Sequence, residues 1–343
     1  STSTGKNNQD LSFSDKSLEY NLDDNGLSVH AIFFDMDNDQ DLDMYLLNNS
    51  GRSIGSYDLR LGQRMVRDSL DNNKLYRNDG NEFIDVSAIS GIFTSAIGYG
   101  LGVTASDLDK DGFQDLYISN DFFERDYLYI NNGNGTFSEK LDLLITESSF
   151  GSMGADIADM NNDGLSDIFV TEMLPQNLER EKTKAVFEDW NKYERNFQNG
   201  YHRQFSRNVF HKNNDLINDT LVKFSEIGRF AGIEATDWSW GAIIFDTNND
   251  GLEDIFVANG IAKDMTDQDY INYYANNSID LSKAKEDSLL ITKLMDRIPS
   301  EALQNFLYIN QGQLSFVNKA TEFGLKQRTF SNFPQKAPTT TAY

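Results

Sequence analysis

Four short segments of the chain place oxygen-bearing side chains at the same offsets. They read DMDNDQDLD (35–43), DLDKDGFQD (107–115), DMNNDGLSD (159–167) and DTNNDGLED (246–254). The shared form is D-x-[DN]-x-D-G-x-x-D. Asp or Asn at positions 1, 3 and 5 of a tight loop converge their oxygens on one point. Position 7 adds a backbone carbonyl, and Asp at position 9 closes the shell. So dense a set of hard oxygen donors suits Ca²⁺ better than zinc or copper. The candidate ligands are Asp35, Asp37, Asp39, Asp41 and Asp43 in loop 1, and Asp107, Asp109, Asp111, Phe113 and Asp115 in loop 2. Loop 3 offers Asp159, Asn161, Asp163, Leu165 and Asp167; loop 4 offers Asp246, Asn248, Asp250, Leu252 and Asp254. Gly at position 6 permits the sharp turn, as in an EF-hand loop, yet there is no Glu at position 12 and strand-like runs flank each loop. Loop 2 matches the pattern in full. Loop 1 carries Gln40 in place of Gly and Asp41 at position 7, so a strained or different geometry is expected there. Carboxylates packed this closely repel one another in the absence of a cation.

The elements that must position these loops also repeat. A short apolar or small-residue run precedes each loop, and a β-like run follows it: MYLLN, LYISN, IFVTE and IFVAN. A second motif alternates with the first: NKLYRNDGNEF (73–83), DYLYINNGNGTF (126–137), NVFHKNN with a later VKF (208–224) and NFLYINQGQLSF (305–316). These read as two strands joined by an Asn/Gly turn. A Gly-Ile or Gly-Leu pair follows three of them, at Gly91, Gly232 and Gly324. The distance from the second motif to the next Asp loop is nearly constant, at 34, 33 and 38 residues. From the end of an Asp loop to the second motif it is 30, 11, 41 and 51 residues, so the length variation sits in one connection.

With the strands of a unit labelled A to D, the Asp loop joins A to B and the insertions fall between B and C. Four strands per unit with tight turns predict an all-β chain: a β-propeller of four-stranded blades, with calcium loops between strands A and B and helical insertions between B and C. The whole of 1–343 then forms one propeller domain or propeller fragment, with units at about 23–90, 91–145, 146–232 and 233–325 and partial units at both ends. The segment 10–13 reads as the last strand of a preceding unit, and TFSNF after 328 as the start of another strand A. The Asp loops fall on one face; the B–C insertions and the D-to-A crossings fall on the other, which is the expected binding face.

Composition narrows the partners. Asp plus Glu number 54 against 30 Lys plus Arg, a net charge of −24, which opposes nucleic acid and anionic membrane surfaces. The 39% hydrophobic and 12% aromatic content belongs to a folded chain rather than an acidic tail. With no Cys, disulfides, zinc–thiolate sites and cysteine nucleophiles are excluded. No window reaches the roughly 20 apolar residues of a spanning helix, so no direct membrane insertion is expected. Ser1 reads as a processed end or a fragment boundary.

The insertions offer further candidates. Arg52, Arg60, Arg64 and Arg67 make a local basic cluster; it could receive an anionic group such as a uronate, although pairing with nearby carboxylates is the favoured reading. The stretch 176–199 reads as a charged helix with Ala185, Val186, Phe187 and Trp190 as its apolar positions, and 264–299 as two helices near 267–276 and 281–296. Trp238 and Trp240 sit at the crossing into the fourth unit, where indoles can stack on sugar rings with Tyr201, Tyr273 and Tyr274; packing is the favoured alternative. There is no G-x-S-x-G, H-E-x-x-H or phosphate loop. His30, His202 and His211 show no motif spacing, and no catalytic residue is named.

The Asp loops and their flanks resemble the FG-GAP, or VCBS, repeats of integrin-α-type β-propellers over nearly the whole chain. Stretches such as SNDFFERDYLYINNGNGTF, SMGADIADMNNDG, TDWSWGAIIFDTNNDG and NGIAKDMTDQDYIN look closest to large bacterial repeat proteins that carry an ASPIC and UnbV region elsewhere. The resemblance implies a calcium-stabilised scaffold, part of a longer exported or surface-anchored protein. It does not supply a ligand. The expected role is a cell-surface module that binds glycan or protein. A polysaccharide lyase or hydrolase on the same scaffold, and a structural part of a larger assembly, are the alternatives.

Overall fold

The computed structural model describes residues 4–10, 12–50, 61–67, 72–80, 82–93, 95–122, 124–184, 190–217, 221–276, 292 and 295–331. The fold is all-β. A hairpin of β1 (Gly5–Asn7) and β2 (Phe13–Asp15) precedes sheet 1, which holds β3 (Leu27–Phe34), β4 (Asp43–Asn49), β5 (Lys74–Asn78) and β6 (Phe83–Asp85). Sheet 2 holds β7 (Gly100–Ser106), β8 (Asp115–Asn120), β9 (Tyr127–Asn131) and β10 (Phe137–Glu139), followed by the one-turn helix α1 (Leu141–Leu144) and the short β11 (Ser148–Ser149). Sheet 3 holds β12 (Gly154–Ala158), β13 (Asp167–Thr171), β15 (Val209–Ile217) and β16 (Leu221–Glu226). Between β13 and β15 lie α2 (Leu178–Lys184), α3 (Trp190–Gln198) and β14 (Gln204–Phe205), which pairs with β11. After α4 (Gly228–Ala231) comes sheet 4, with β17 (Ser239–Phe245), β18 (Asp254–Asn259), β20 (Phe306–Asn310) and β21 (Phe316–Asn318). Helix α5 (Gln268–Asn276) and β19 (Leu303–Gln304) interrupt sheet 4, and β22 (Arg328–Thr329) pairs with β19.

Each four-stranded sheet is antiparallel and runs up and down in chain order. The second strand of each sheet has an apolar middle because it is covered on both faces: all residues of β4, β8 and β13 are buried, and all of β18 but the partly buried Phe256. Alternate side chains of that strand serve opposite neighbours, as the two-residue period requires. Tyr45 and Leu47 of sheet 1 pack with Leu116, Ile118 and Tyr129 of sheet 2. Tyr117 and Leu128 then face Ile168, Val170 and Val209 of sheet 3, and Phe169 and Phe210 face Ile255, Val257 and Tyr308 of sheet 4. Burying each such side chain contributes about 1.5–3 kcal/mol.

The first strands of sheets 2, 3 and 4 approach one another through backbone. A Cβ on Gly102 would lie 3.1 Å from the Gly154 Cα, and one on Gly154 would lie 3.3 Å from the Gly241 Cα. Thr104 donates its hydroxyl to the Ala155 carbonyl at 2.8 Å, and the Ile244 amide donates to Asp156 at 2.8 Å. His30, Gly102, Gly154 and Trp240, one from each sheet, line a single cavity of about 100 Å³.

The Gly-Ile and Gly-Leu pairs mark left-handed turns after the outer strand: Gly91, Gly232 and Gly324 have φ of 81°, 74° and 84°. At Gly91 a Cβ would lie 2.3 Å from the Phe137 carbonyl oxygen of the next sheet. Gly91→Ala is therefore expected to lower stability by about 2 kcal/mol, read as a shift of the urea midpoint at unchanged slope.

Several elements differ from the sequence reading. Asp10 is not in a strand: it accepts the Ser12 amide at 3.0 Å and turns the β1–β2 hairpin, so the leading element is a strand pair rather than one strand. The stretch 176–199 contains α2 and α3, with Ala185, Val186 and Phe187 outside the described residues. Trp190, an apolar position of the expected helix, is 69% exposed and stacked on Tyr193 at 5.1 Å. Helix α5 matches the expected 267–276 segment, and nearly all of 281–296 lies outside the described residues. Thr329 pairs with Leu303 in a two-residue bridge, where a new first strand is expected from the sequence.

Candidate metal centres

Each Asp loop joins the first and second strands of its sheet. The last residue of strand A faces the position-9 aspartate across the ladder in all four: Phe34 with Asp43, Ser106 with Asp115, Ala158 with Asp167, and Phe245 with Asp254. The position-1 aspartate closes the turn by accepting the amide of position 6: Gln40 to Asp35 at 3.0 Å, Gly112 to Asp107 at 3.0 Å, Gly164 to Asp159 at 2.7 Å and Gly251 to Asp246 at 2.9 Å. The position-5 aspartate accepts the amide of position 7: Asp41 to Asp39, Phe113 to Asp111, Leu165 to Asp163 and Leu252 to Asp250, each at 2.9–3.0 Å.

Positions 4 and 6 are left-handed throughout. Asn38, Lys110, Asn162 and Asn249 have φ near 60°, and position 6 is Gln40 at 77°, Gly112 at 90°, Gly164 at 80° and Gly251 at 83°. Loop 1 thus adopts the common geometry despite Gln40, at the cost of a Cβ in the left-handed region. Gln40→Gly is expected to stabilise the protein by about 1 kcal/mol, seen as a higher melting temperature.

The position-9 aspartates are the buried anchors. Asp43 is 1% exposed and Asp115, Asp167 and Asp254 are 0% exposed. One oxygen of each accepts the position-2 amide (Met36, Leu108, Met160, Thr247), at 2.8–3.2 Å. The other accepts the amide of Asn78, Asn131, Asn213 or Asn310 on the third strand, at 2.8–2.9 Å. In the first three loops burial still pushes the carboxyl up, against those two amides: Asp43 to about 6, Asp115 to about 8 and Asp167 to about 7. The same asparagines tie adjacent sheets together. The side-chain amides of Asn131, Asn213 and Asn310 donate to the Met36, Leu108 and Met160 carbonyls of the preceding loop, at 2.8, 3.0 and 2.8 Å. In the sequence these asparagines read as turn formers; their identical place in the second motif, five residues after its start at 73, 126, 208 and 305, is the signal that marks them as anchors.

Loops 1 and 2 bring their carboxylates together. Asp35, Asp37 and Asp39 each offer an oxygen within 4.8 Å of the others, as do Asp107, Asp109 and Asp115. That spread matches the span of ligands around one Ca²⁺ at 2.3–2.6 Å. Three buried oxygens in these loops accept no hydrogen bond: Asp37 Oδ1, Asp41 Oδ1 and Asp107 Oδ1. Burial, and then neighbouring carboxylates, push Asp37 and Asp109 up. In loop 3, burial of Asp163 is outweighed by the Asn161 amide, the Leu165 N–H and the Lys212 ammonium, so its carboxyl sits low. Asp246 of loop 4 is held low, first by the Gly251 amide. The donor set fits a hard divalent cation. Asp35, Asp37, Asp39, Asp107, Asp109 and Asp115 would hold it, and its charge would offset the carboxylate repulsion.

At the other end of the sheets the connections brace one another. Arg64 binds Glu124 through Nε at 2.8 and 3.0 Å and Nη2 at 2.7 Å, and donates to the Gly200 carbonyl at 2.9 Å. It joins the insertions of sheets 1, 2 and 3, and its guanidinium lies over the rings of Phe93 and Tyr201. Arg180 of α2 binds Asp237 at 2.5 and 2.9 Å, Asp264 at 3.2 Å and Glu301 at 2.6 Å, tying sheet 3's insertion to sheet 4's. Arg64 is thus held in a buried pair, while Arg52 and Arg60 lie outside the described residues. Trp238 and Trp240 are half-buried with ring centroids 6.2 Å apart, and Trp240 Nε1 donates to the Gly260 carbonyl at 2.6 Å. Tyr201 is fully buried; the side chains of Tyr273 and Tyr274 lie outside the described residues. The Arg64–Glu124 pair is invisible in the sequence because its partners are 60 residues apart with no repeat to relate them.

Comparison with known proteins covers part of the chain. Residues 107–170 match the family model described as FG-GAP-like repeat. A stretch of 83 residues is 34% identical to integrin alpha-3 of Mus musculus, covering 21% of this chain and 8% of that protein. Integrin alpha-3 of Cricetulus griseus aligns with the same identity and coverage. The chain therefore spans 8% of the length of these curated relatives. Together with the geometry, these matches support the FG-GAP repeat family for the segment 107–170, which carries loops 2 and 3.

Proposed function

We propose that the chain is a calcium-binding β-propeller module that engages a glycan or protein through the face bearing its insertions. The observation that carries this reading is the fourfold repetition of one hydrogen-bonded Asp loop at the same end of four successive sheets. In this reading the sheets are blades, with units near 23–90, 91–145, 146–232 and 233–325. Calcium fixes one end of each blade, and the blades hold the opposite layer in place. The cross-braces of Arg64 and Arg180 support a pre-organised binding layer there, because long side chains locked in ion pairs lose little further freedom on binding. The partial match to integrin alpha-3 supports an adhesive role outside the cell, and the quoted motifs support kinship with bacterial VCBS repeat proteins.

The test is binding of the cation-loaded protein to a glycan array and to a panel of immobilised surface proteins, with and without chelator. Saturable, chelator-sensitive binding is expected on at least one of the two. Binding to neither, by protein verified to be folded and cation-loaded, would contradict the reading. Release of a cleaved product from a bound glycan would replace it with a carbohydrate-active enzyme.

A further inference from the structure

The four loops share a backbone but differ in how position 3 is used. In loops 3 and 4 the Asn side chain is engaged at both ends by the position-5 aspartate. Asn161 Nδ2 donates to Asp163 Oδ2 at 2.8 Å while its Oδ1 accepts the Asp163 amide at 3.0 Å. Asn248 does the same with Asp250, at 2.8 and 2.9 Å. An amide hydrogen therefore occupies the carboxylate oxygen that a cation would need, and the loop closes on itself. Loop 3 carries a further competitor, since Lys212 Nζ lies 3.3 Å from the same Asp163 oxygen. Loops 1 and 2 cannot close this way, because Asp37 and Asp109 have no amide hydrogen to give. Their oxygens converge within 4.8 Å, and all the buried loop carboxylate oxygens that lack a hydrogen bond, among the described residues, belong to these two loops.

The contacts between loops follow the same division. Asn38 of loop 1 donates to the Gly112 carbonyl of loop 2 at 3.0 Å, and Asn162 of loop 3 donates to the Gly251 carbonyl of loop 4 at 2.8 Å. Loop 1, whose Gln40 departs from the sequence pattern, thus belongs with loop 2 and not below loops 3 and 4.

We propose that the chain carries two classes of divalent-cation site: loops 1 and 2 are open and fill first, and loops 3 and 4 are latched by Asn161 and Asn248 and fill only at higher concentration. The inference rests on the calcium reading above and adds an order to it. One more carboxylate and the absence of a latch to break separate the classes by on the order of tenfold or more in Kd.

The experiment is a Ca²⁺ titration of the full, cation-free chain, followed by calorimetry and by the backbone amide resonances of position 6. Gln40 and Gly112 report on loops 1 and 2; Gly164 and Gly251 report on loops 3 and 4. The expected result is two tight sites, with the Gln40 and Gly112 signals moving about a decade of concentration before the other two. Asp109→Asn installs the latch in loop 2 and is expected to reduce the tight sites from two to one. Asn161→Asp with Asn248→Asp removes both latches and is expected to raise the count to four. Four equivalent sites, movement of Gly164 or Gly251 at lower Ca²⁺ than Gln40 and Gly112, or an unchanged tight count in Asp109→Asn would overturn the order while leaving calcium binding intact. No heat and no movement at any of the four amides would overturn the calcium reading itself.

Discussion

Arg64→Ala is expected to destabilise the protein by about 3–5 kcal/mol, although Arg64 lies in an insertion far from the Asp loops. The Glu124 side chain is 0% exposed and that of Arg64 13% exposed, so truncation leaves a carboxylate buried without its partner. Burial already pushes the Glu124 carboxyl up, and Arg64 and then Arg125 restrain it. Without Arg64 it rises further, so at neutral pH the variant must either hold an uncompensated charge or take up a proton. Two results separate this cause from lost packing. The deficit should shrink as pH falls towards the range where Glu124 is neutral. Arg64→Ala combined with Glu124→Gln should cost clearly less than Arg64→Ala alone, because the buried charge is gone. A double variant as unstable as the single one would assign the loss to the Phe93 and Tyr201 contacts instead.

The second large effect is a pH dependence that calcium should reverse. In the cation-free fold, burial raises Asp43 to about 6, Asp167 to about 7 and Asp115 to about 8, against 3.8 as the ordinary value. A carboxyl raised in the folded state binds a proton that the unfolded chain has released. Stability is therefore fully present near and below pH 4 and declines as pH climbs through 6, 7 and 8. Each titrating group adds a slope of up to about 1.4 kcal/mol per pH unit. Fully buried His211 acts in the opposite sense, since burial depresses it to about 4 from 6.5. Its contribution is complete above pH 6.5 and is lost as pH falls towards 4. Asp121 and Asp126, raised by burial to about 6, act with the loop carboxyls, and His30, lowered by burial, acts with His211. The carboxyls that titrate between pH 6 and 8 dominate, so verified cation-free protein should have a lower urea midpoint at pH 8 than at pH 6. Saturating Ca²⁺ should abolish or invert that difference, with protons released on binding. A cation-free midpoint that rises from pH 6 to pH 8 would show that these aspartates do not titrate as buried carboxyls.

The repeat is legible in the sequence because each unit spells its loop and hairpin locally. Position-1 Asp, position-6 Gly and the apolar run of strand B are neighbours in the chain, and local hydrogen bonds turn that order into geometry. The uniform left-handed backbone at Gln40 is not legible, since a non-glycine there argues for a different turn; the Asp35 and Asp39 hydrogen bonds impose the shape all the same. Nor is the role of Asn161 and Asn248, because a pattern that allows Asp or Asn at position 3 treats the two as equal ligands. Their chemical difference, an amide hydrogen able to reach position 5, emerges only when the loop is folded. The insertions are the least legible part. Their charged side chains read as a basic cluster and a charged helix, yet Arg64 and Arg180 find partners on other insertions, at separations up to 136 residues. Such pairs are set by the stacking of sheets and leave no periodic trace.

Cation binding to the Asp loops is the central claim, and thermal unfolding tests it most directly. Cation-free protein should melt well below the same protein in millimolar Ca²⁺, since saturation at 100 times Kd adds about 2.7 kcal/mol per site. Asp115→Asn should remove part of that gain, and Mg²⁺ at equal concentration should reproduce little of it. A melting temperature that is the same with excess chelator, after verified removal of metal, as it is in Ca²⁺ would contradict the claim.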